Sequence, residues 1–152
     1  MTFSCSSILF ESPPKNEYGR SPRGEAVTDK IKGRATEKIN IIAGRSGSDI
    51  VAPMIYKCGM NSEIFNFWLE YHLLPEIPEN SLVVMDNASF HKSEKTKELA
   101  EKFSCRPLFL PPYSPDLNPT EKFWAFLKAK IKKIADGIRS LSVCIETVFQ
   151  TI

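Results

Sequence analysis

Histidine and paired cysteine are what this sequence is short of. Its 152 residues hold two histidines and four cysteines. Cys5, Cys58, Cys105 and Cys144 are widely scattered, with no Cys-x-x-Cys pair and no histidine at zinc-ligand spacing. That argues against a zinc site and predicts free thiols, kept reduced in a cytoplasm. His72 and His91 do not form a metal pair, and His72 lies in a strongly apolar helical stretch, where a packed histidine is expected. Long apolar runs are missing too. Residues 39–44 and 82–85 are strand length, far short of the roughly 20 needed to span a bilayer, so neither a signal peptide nor a membrane partner is expected. A net charge of +2 is too small to argue for nucleic acid by itself. Internal repeats and low-complexity segments are absent. With 42% apolar content the chain can bury one substantial core, and a single domain over 1–152 is expected.

What is present is locally patterned. Lys122, Lys128, Lys130, Lys132 and Lys133 occur without an intervening acid, and Lys30, Lys32, Arg34, Lys38 and Arg45 face only Glu37. Both patches could neutralise phosphates, although a lysine stripe is also the ordinary solvated face of a helix. Apolar alternation predicts strands near 7–10, 38–45 and 50–56, with Ser46-Gly47-Ser48-Asp49 as a hairpin turn. Helical spacing over 62–74 places Ile64, Phe65, Trp68, Tyr71 and His72 on one side, as core. Ser93 can cap a helix whose inward stripe is Thr96, Leu99, Ala100 and Phe103. A short strand near 107–110 and a last helix over 140–150, after an Asp136-Gly137 stop, complete the reading. Met1 to Ser7 reads as arbitrary sequence.

Two acids carry the chemistry. Asp86 follows the apolar run Leu82 to Met85 and precedes Asn87, so it ends a short buried strand. In open α/β sheets such strand ends form the ligand crevice. Glu121 is reached through a loop stiffened by Pro111, Pro112, Pro115 and Pro119, after which Asn118 can cap a helix beginning at Pro119. Along that helix Phe123, Trp124, Leu127, Ile131 and Ile134 form the apolar face, while Glu121, Lys128 and Lys132 form a separate stripe. Two such carboxylates plus a third would suit a two-ion phosphoryl-transfer site, in which Mg²⁺ ions about 4 Å apart stabilise attacking and leaving oxygens. Each acid also has a plainer reading: Asp86-Asn87 is good turn chemistry, and Asn118-Pro119-Thr120-Glu121 has the spacing of a capping box.

The run from Val83 to Trp124, with its Asp86-Asn87-x-x-x-His91 strand end and its Asn118-Pro119-x-Glu121-x-x-Trp124 helix start, resembles the mariner superfamily of DDE transposases, in particular the branch from bacterial insertion sequences. The turn Tyr18-Gly19-Arg20-Ser21-Pro22-Arg23-Gly24 and the helix over 61–74 are similar to that family as well, and 37–135 is the best-matched core. The resemblance implies an α/β, ribonuclease-H-like mixed sheet flanked by helices, matching an order of antiparallel strands followed by alternating strands and helices. It implies Mg²⁺ as cofactor, with Mn²⁺ substituting, for cleaving DNA at transposon ends and joining the freed 3′-hydroxyls to target DNA, a TA dinucleotide by analogy. Asp86 and Glu121 match the second and third metal ligands, with catalysis assigned to both. Lys122, Lys128 and Lys132 would touch DNA, and Asn87, His91 and Asn118 would line the site. A bacterial cytoplasm, with nucleoid association on DNA, and pairing as a homodimer or with a full-length transposase are further implications.

The family's first-strand Asp-Glu-Ser is not matched. Aligning Glu11-Ser12 with it puts Phe10 at the aspartate, and a one-residue slip offers Glu11 as the metal ligand instead. Residues 1–12 are therefore expected to be a degenerate first strand, with strongly reduced or absent catalysis. No helix-turn-helix module fits before Glu11, so the chain is expected to be the downstream piece of a frame-interrupted element.

Overall fold

The computed structural model describes residues 2–11, 38–118, 120–135 and 140–152. The expected Tyr18 to Gly24 turn, Pro119 and the Asp136-Gly137 stop lie outside the described residues. A mixed five-stranded sheet has the order β3-β2-β1-β4-β5. β1 (Thr2–Glu11), β2 (Lys38–Ser46) and β3 (Asp49–Tyr56) form an antiparallel meander. β4 (Leu82–Met85) and β5 (Arg106–Phe109) run parallel to β1. The β2–β3 connection is the two-residue turn Gly47-Ser48, with Gly47 at φ 60°, a conformation in which a side chain would be strained. β5 falls one residue earlier than expected, and its Pro107 is tolerated because β5 is an edge strand.

Helices cover both faces of the sheet. α1 (Ser62–Trp68) is capped by Asn61, whose side chain accepts from the Ile64 amide at 2.9 Å. It continues through a π-helical turn (Leu69–Leu73) into α2 (Leu74–Glu76), and Pro75 supplies no amide to the ladder there. The buried face is centred on Phe65, Trp68, Leu69 and Leu73, so Tyr71, expected in the core, lies off its edge and is 63% exposed. α3 (Glu94–Lys102) is capped by Ser93 as expected, with Thr96, Leu99 and Ala100 buried. α1 to α3 pack on the face of Phe3, Cys5, Ile42, Val83 and Met85. On the other face Ile39, Ile41 and Ala43 meet Trp124, Leu127 and Ile131 of α4 (Glu121–Ala135) and Cys144, Ile145 and Val148 of α5 (Leu141–Gln150). Each fully buried aliphatic or aromatic side chain is worth about 1.5–3 kcal/mol. No helix among the described residues is long and apolar enough to cross a membrane.

The first residues depart from expectation. Met1 to Ser7 was read as arbitrary, with a strand only from 7 to 10, yet β1 spans Thr2–Glu11 at the centre of the sheet. Phe3 and Cys5 are buried on one face and the Ser4 side chain is buried on the other. The period-two pattern was hidden because serine occupies its polar positions, and serine carries little strand signal.

Candidate active site

β4 delivers Asp86 at its carboxyl end. Its Oδ1 lies 2.7 Å from His91 Nδ1 and accepts from the Ala88 amide at 3.1 Å. His91 Nδ1 is also 3.2 Å from the Asp86 carbonyl, so this nitrogen faces two acceptors and carries the proton. A 3₁₀ turn (Ser89–Lys92) holds the histidine, and its ring packs at a tilt against Phe65 and edge-on against Phe90, each with centroids 4.3 Å away. Expected to line the site, His91 is instead 1% exposed and lies behind Asp86, fixing its carboxylate. The hydrogen bond from His91 holds the Asp86 carboxyl below its ordinary value of 3.8, against the opposing effect of partial burial. Asp86 Oδ2 makes no hydrogen bond among the described residues and is left for a ligand.

α4 delivers Glu121. Asn118 Oδ1 accepts from the Thr120 amide at 3.1 Å, from Thr120 Oγ1 at 2.6 Å and from Ser4 Oγ at 3.1 Å. This buried knot ties the start of α4 to β1, and the Glu121 amide donates to the Asn118 carbonyl at 3.3 Å. The Glu121 carboxylate makes no hydrogen bond or ion pair among the described residues, so the capping-box alternative is not realised. Asp86, Asn87, Asn118 and Glu121 line one cleft of about 440 Å³, with Pro112 and Tyr113 on its rim. Beside it a recess of about 790 Å³ shares Asn118 and Glu121 and adds Thr2, Ser4, Arg45, Asp116 and Lys122.

The sequence-predicted residues are thus only partly brought together. Lys122 joins Glu121 in the recess, whereas Lys128 and Lys132 are exposed further along α4, about 10 and 16 Å from Glu121 at 1.5 Å per residue, and line neither cavity. Glu11 is displaced along the sheet. Cys5 pairs with Met85, so position 6 is level with Asp86, and Glu11, paired with Lys38, lies five residues or about 17 Å beyond. Burial of Phe3 and Cys5 in the core sets that register, and it leaves position 10 four residues along the strand as well. Sequence reasoning missed Thr2, Ser4 and Tyr113, while Arg45 belongs to the second basic patch it named. Tyr113 is fully exposed at φ 54°, and its place in Leu110-Pro111-Pro112-Tyr113 was the available signal.

A divalent pair is a poor fit to this donor set. Two-ion sites need several oxygen ligands, and among the described residues no group of three or more His, Cys, Asp or Glu could hold a metal ion. The two acids share a cleft without a third acid beside them among the described side chains.

Comparison with known proteins agrees with this geometry. The catalytic domain of Mos1 transposase, in a structure with raltegravir and Mg, is similar at a TM-score of 0.68 and 15% identity, covering 98% of this chain and 69% of that one. Mos1 transposase in a paired-end complex with the left transposon end matches at 0.58 and 18% identity, covering 84% of this chain and 41% of that one. The catalytic core domain of BIV integrase matches at 0.60 and 8% identity, covering 95% of this chain and 78% of that one. These likenesses establish the ribonuclease-H-like transposase and integrase fold, and the chain spans less than half the length of Mos1 transposase in the paired-end complex. No match is found among curated proteins. The sequence profile described as DDE superfamily endonuclease matches residues 8–142, most of the chain, and the chain therefore belongs to the DDE superfamily endonucleases.

Proposed function

We propose that this chain is the catalytic-core portion of a DDE transposase from a bacterial insertion sequence, retaining DNA binding while DNA cleavage and strand transfer are impaired. The observation that carries the reading is that Asp86 and Glu121, remote in sequence and on different elements, line one cleft with their carboxylates accessible. His91 keeps Asp86 ionised and oriented, and the Asn118 knot holds the first turn of α4 in place. Lys122 at the recess, and Lys128 and Lys132 along the same helix, provide a cationic track for a phosphodiester backbone. That no third acid joins Asp86 and Glu121 among the described residues supports a second form of this reading, a catalytically dead core that binds DNA and pairs with itself or with an intact transposase.

Duplex DNA binding measured against salt tests both. Each phosphate neutralised should contribute a slope of roughly −0.9 in log affinity against log salt, so three lysines predict about −2 to −3. A flat response would exclude DNA as the partner. Supercoiled-plasmid nicking with Mn²⁺ separates the two forms: residual nicking lost in Asp86→Ala marks an impaired enzyme, and no nicking marks a dead one.

A further inference from the structure

Tyr113 strains the backbone and adds nothing to the core. It sits at φ 54°, a left-handed conformation that a bulky aromatic residue rarely adopts. Its side chain is fully exposed and buries no surface against the rest of the chain. The other strongly exposed tyrosine, Tyr71, at least leans on Phe67, with ring centroids 5.1 Å apart. A strained residue that stabilises nothing within the fold points to a ligand that meets it.

The position of the ring identifies the ligand's chemistry. The Leu110 amide donates to the Met85 carbonyl at 2.8 Å, which ties the start of the loop to the strand residue before Asp86. The far end of the loop is fixed by the Asn118 knot, just ahead of Glu121. Between these anchors Pro111, Pro112 and Pro115 have a restricted φ. The Ser114 hydroxyl donates to the Pro112 carbonyl at 3.3 Å, and the Leu117 amide donates to the Ser114 carbonyl at 3.2 Å. Tyr113 is therefore presented at the rim of the cleft that holds both acids, on a backbone with few freedoms. We infer that Tyr113 is a stacking platform for an unpaired nucleobase beside the phosphodiester in that cleft, so that the site favours DNA whose terminal bases are open; this rests on the functional reading above. Stacking on a ring is tolerant of sequence because every base has a π-face. It needs a base with a free face, and a base inside a duplex is already covered on both sides.

The experiment measures binding of the full chain, Tyr113→Phe and Tyr113→Asn to two forked duplexes by fluorescence anisotropy. Both strands of each fork end in a few unpaired nucleotides, and in the second fork those nucleotides are abasic. The two forks carry the same phosphates and differ only in the bases, so the lysine contribution cancels. The parent should bind the fork with bases more tightly by roughly 5- to 150-fold, the range for stacking a base on a protein ring. Tyr113→Phe retains the ring and should retain the preference. Tyr113→Asn removes the ring but tolerates the left-handed backbone. It should melt no lower than the parent, lose the preference, and bind the abasic fork as the parent does. The inference is overturned if the parent binds both forks equally or if Tyr113→Asn retains the preference. A lower melting temperature for Tyr113→Asn would also overturn it, by showing that the fold itself needs the ring. Salt dependence separates this inference from the reading beneath it. Forks bound with a steep slope and no base preference sink only the role of Tyr113, whereas a parent that binds neither fork sinks the proposed DNA partner and this inference with it.

Discussion

β1 and β4 run parallel and adjacent through the middle of the sheet, and they contribute different things. β4 keeps both its buried side chains and its chemistry: Val83, Val84 and Met85 are buried, and the strand hands over to an Asp86 held by a histidine and a backbone amide. What β1 contributes among the described side chains is structural. Phe3 and Cys5 fill the core and Ser4 anchors α4, yet the strand offers no acid level with Asp86. The forces that place a strand, apolar burial and ladder hydrogen bonds, do not depend on the residue that performs chemistry at its surface.

That contrast can be broken in order of expected effect. If β1 is a structural strand, Phe3→Ala should destabilise the fold by about 3–5 kcal/mol in urea unfolding, as for other fully buried aromatics; a loss under 1 kcal/mol would mean that the first residues are not integral to the sheet. The link from β1 to the acid-bearing helix is Asn118, so Asn118→Ala should cost about 1–2 kcal/mol by uncapping α4 and leaving the buried Ser4 hydroxyl unpaired. Hydrogen exchange at the start of α4 should rise with it, and unchanged exchange would detach the cap from the helix.

The smallest effect concerns the Asp86 clamp, which is half exposed and partly screened. Its carboxyl is depressed in the folded state, so the folded protein binds that proton less readily than the unfolded chain. The associated stability is fully present above the ordinary value of 3.8 and drains away as pH falls through the lower folded value. His91→Gln should flatten this part of the stability profile and move the Asp86 carboxyl resonance upward in an NMR pH titration. A titration unmoved by the substitution would remove His91 from the role of holding Asp86.

Much of the fold was legible because its signals are local. β2, β3 and β4 lie within a residue of their expected bounds, Ser93 and Asn118 accept the cap hydrogen bonds they were assigned, and the apolar faces of α3 and α4 turn inward, with Phe103, Phe123 and Ile134 only partly buried. The faults have physical causes. Tyr71 lies outside the core because the buried face of that helix is centred on Phe65, Trp68, Leu69 and Leu73, and Tyr71 falls at the far edge of it. β1 was missed in part because serines diluted its alternation. His91 passed for a site-lining residue because its spacing from Asp86 reveals proximity and not which side of the carboxylate it occupies.

The sequence by itself determined that this protein is an α/β member of the DDE group with Asp86 and Glu121 as its conspicuous acids, since apolar period, capping chemistry and a dense motif are written in neighbouring residues. Which residue stands beside Asp86 was decided only by tertiary structure. Strand register depends on which side chains of β1 the core accepts, and the burial of Phe3 and Cys5 brought position 6, and not Phe10 or Glu11, to the level of the site.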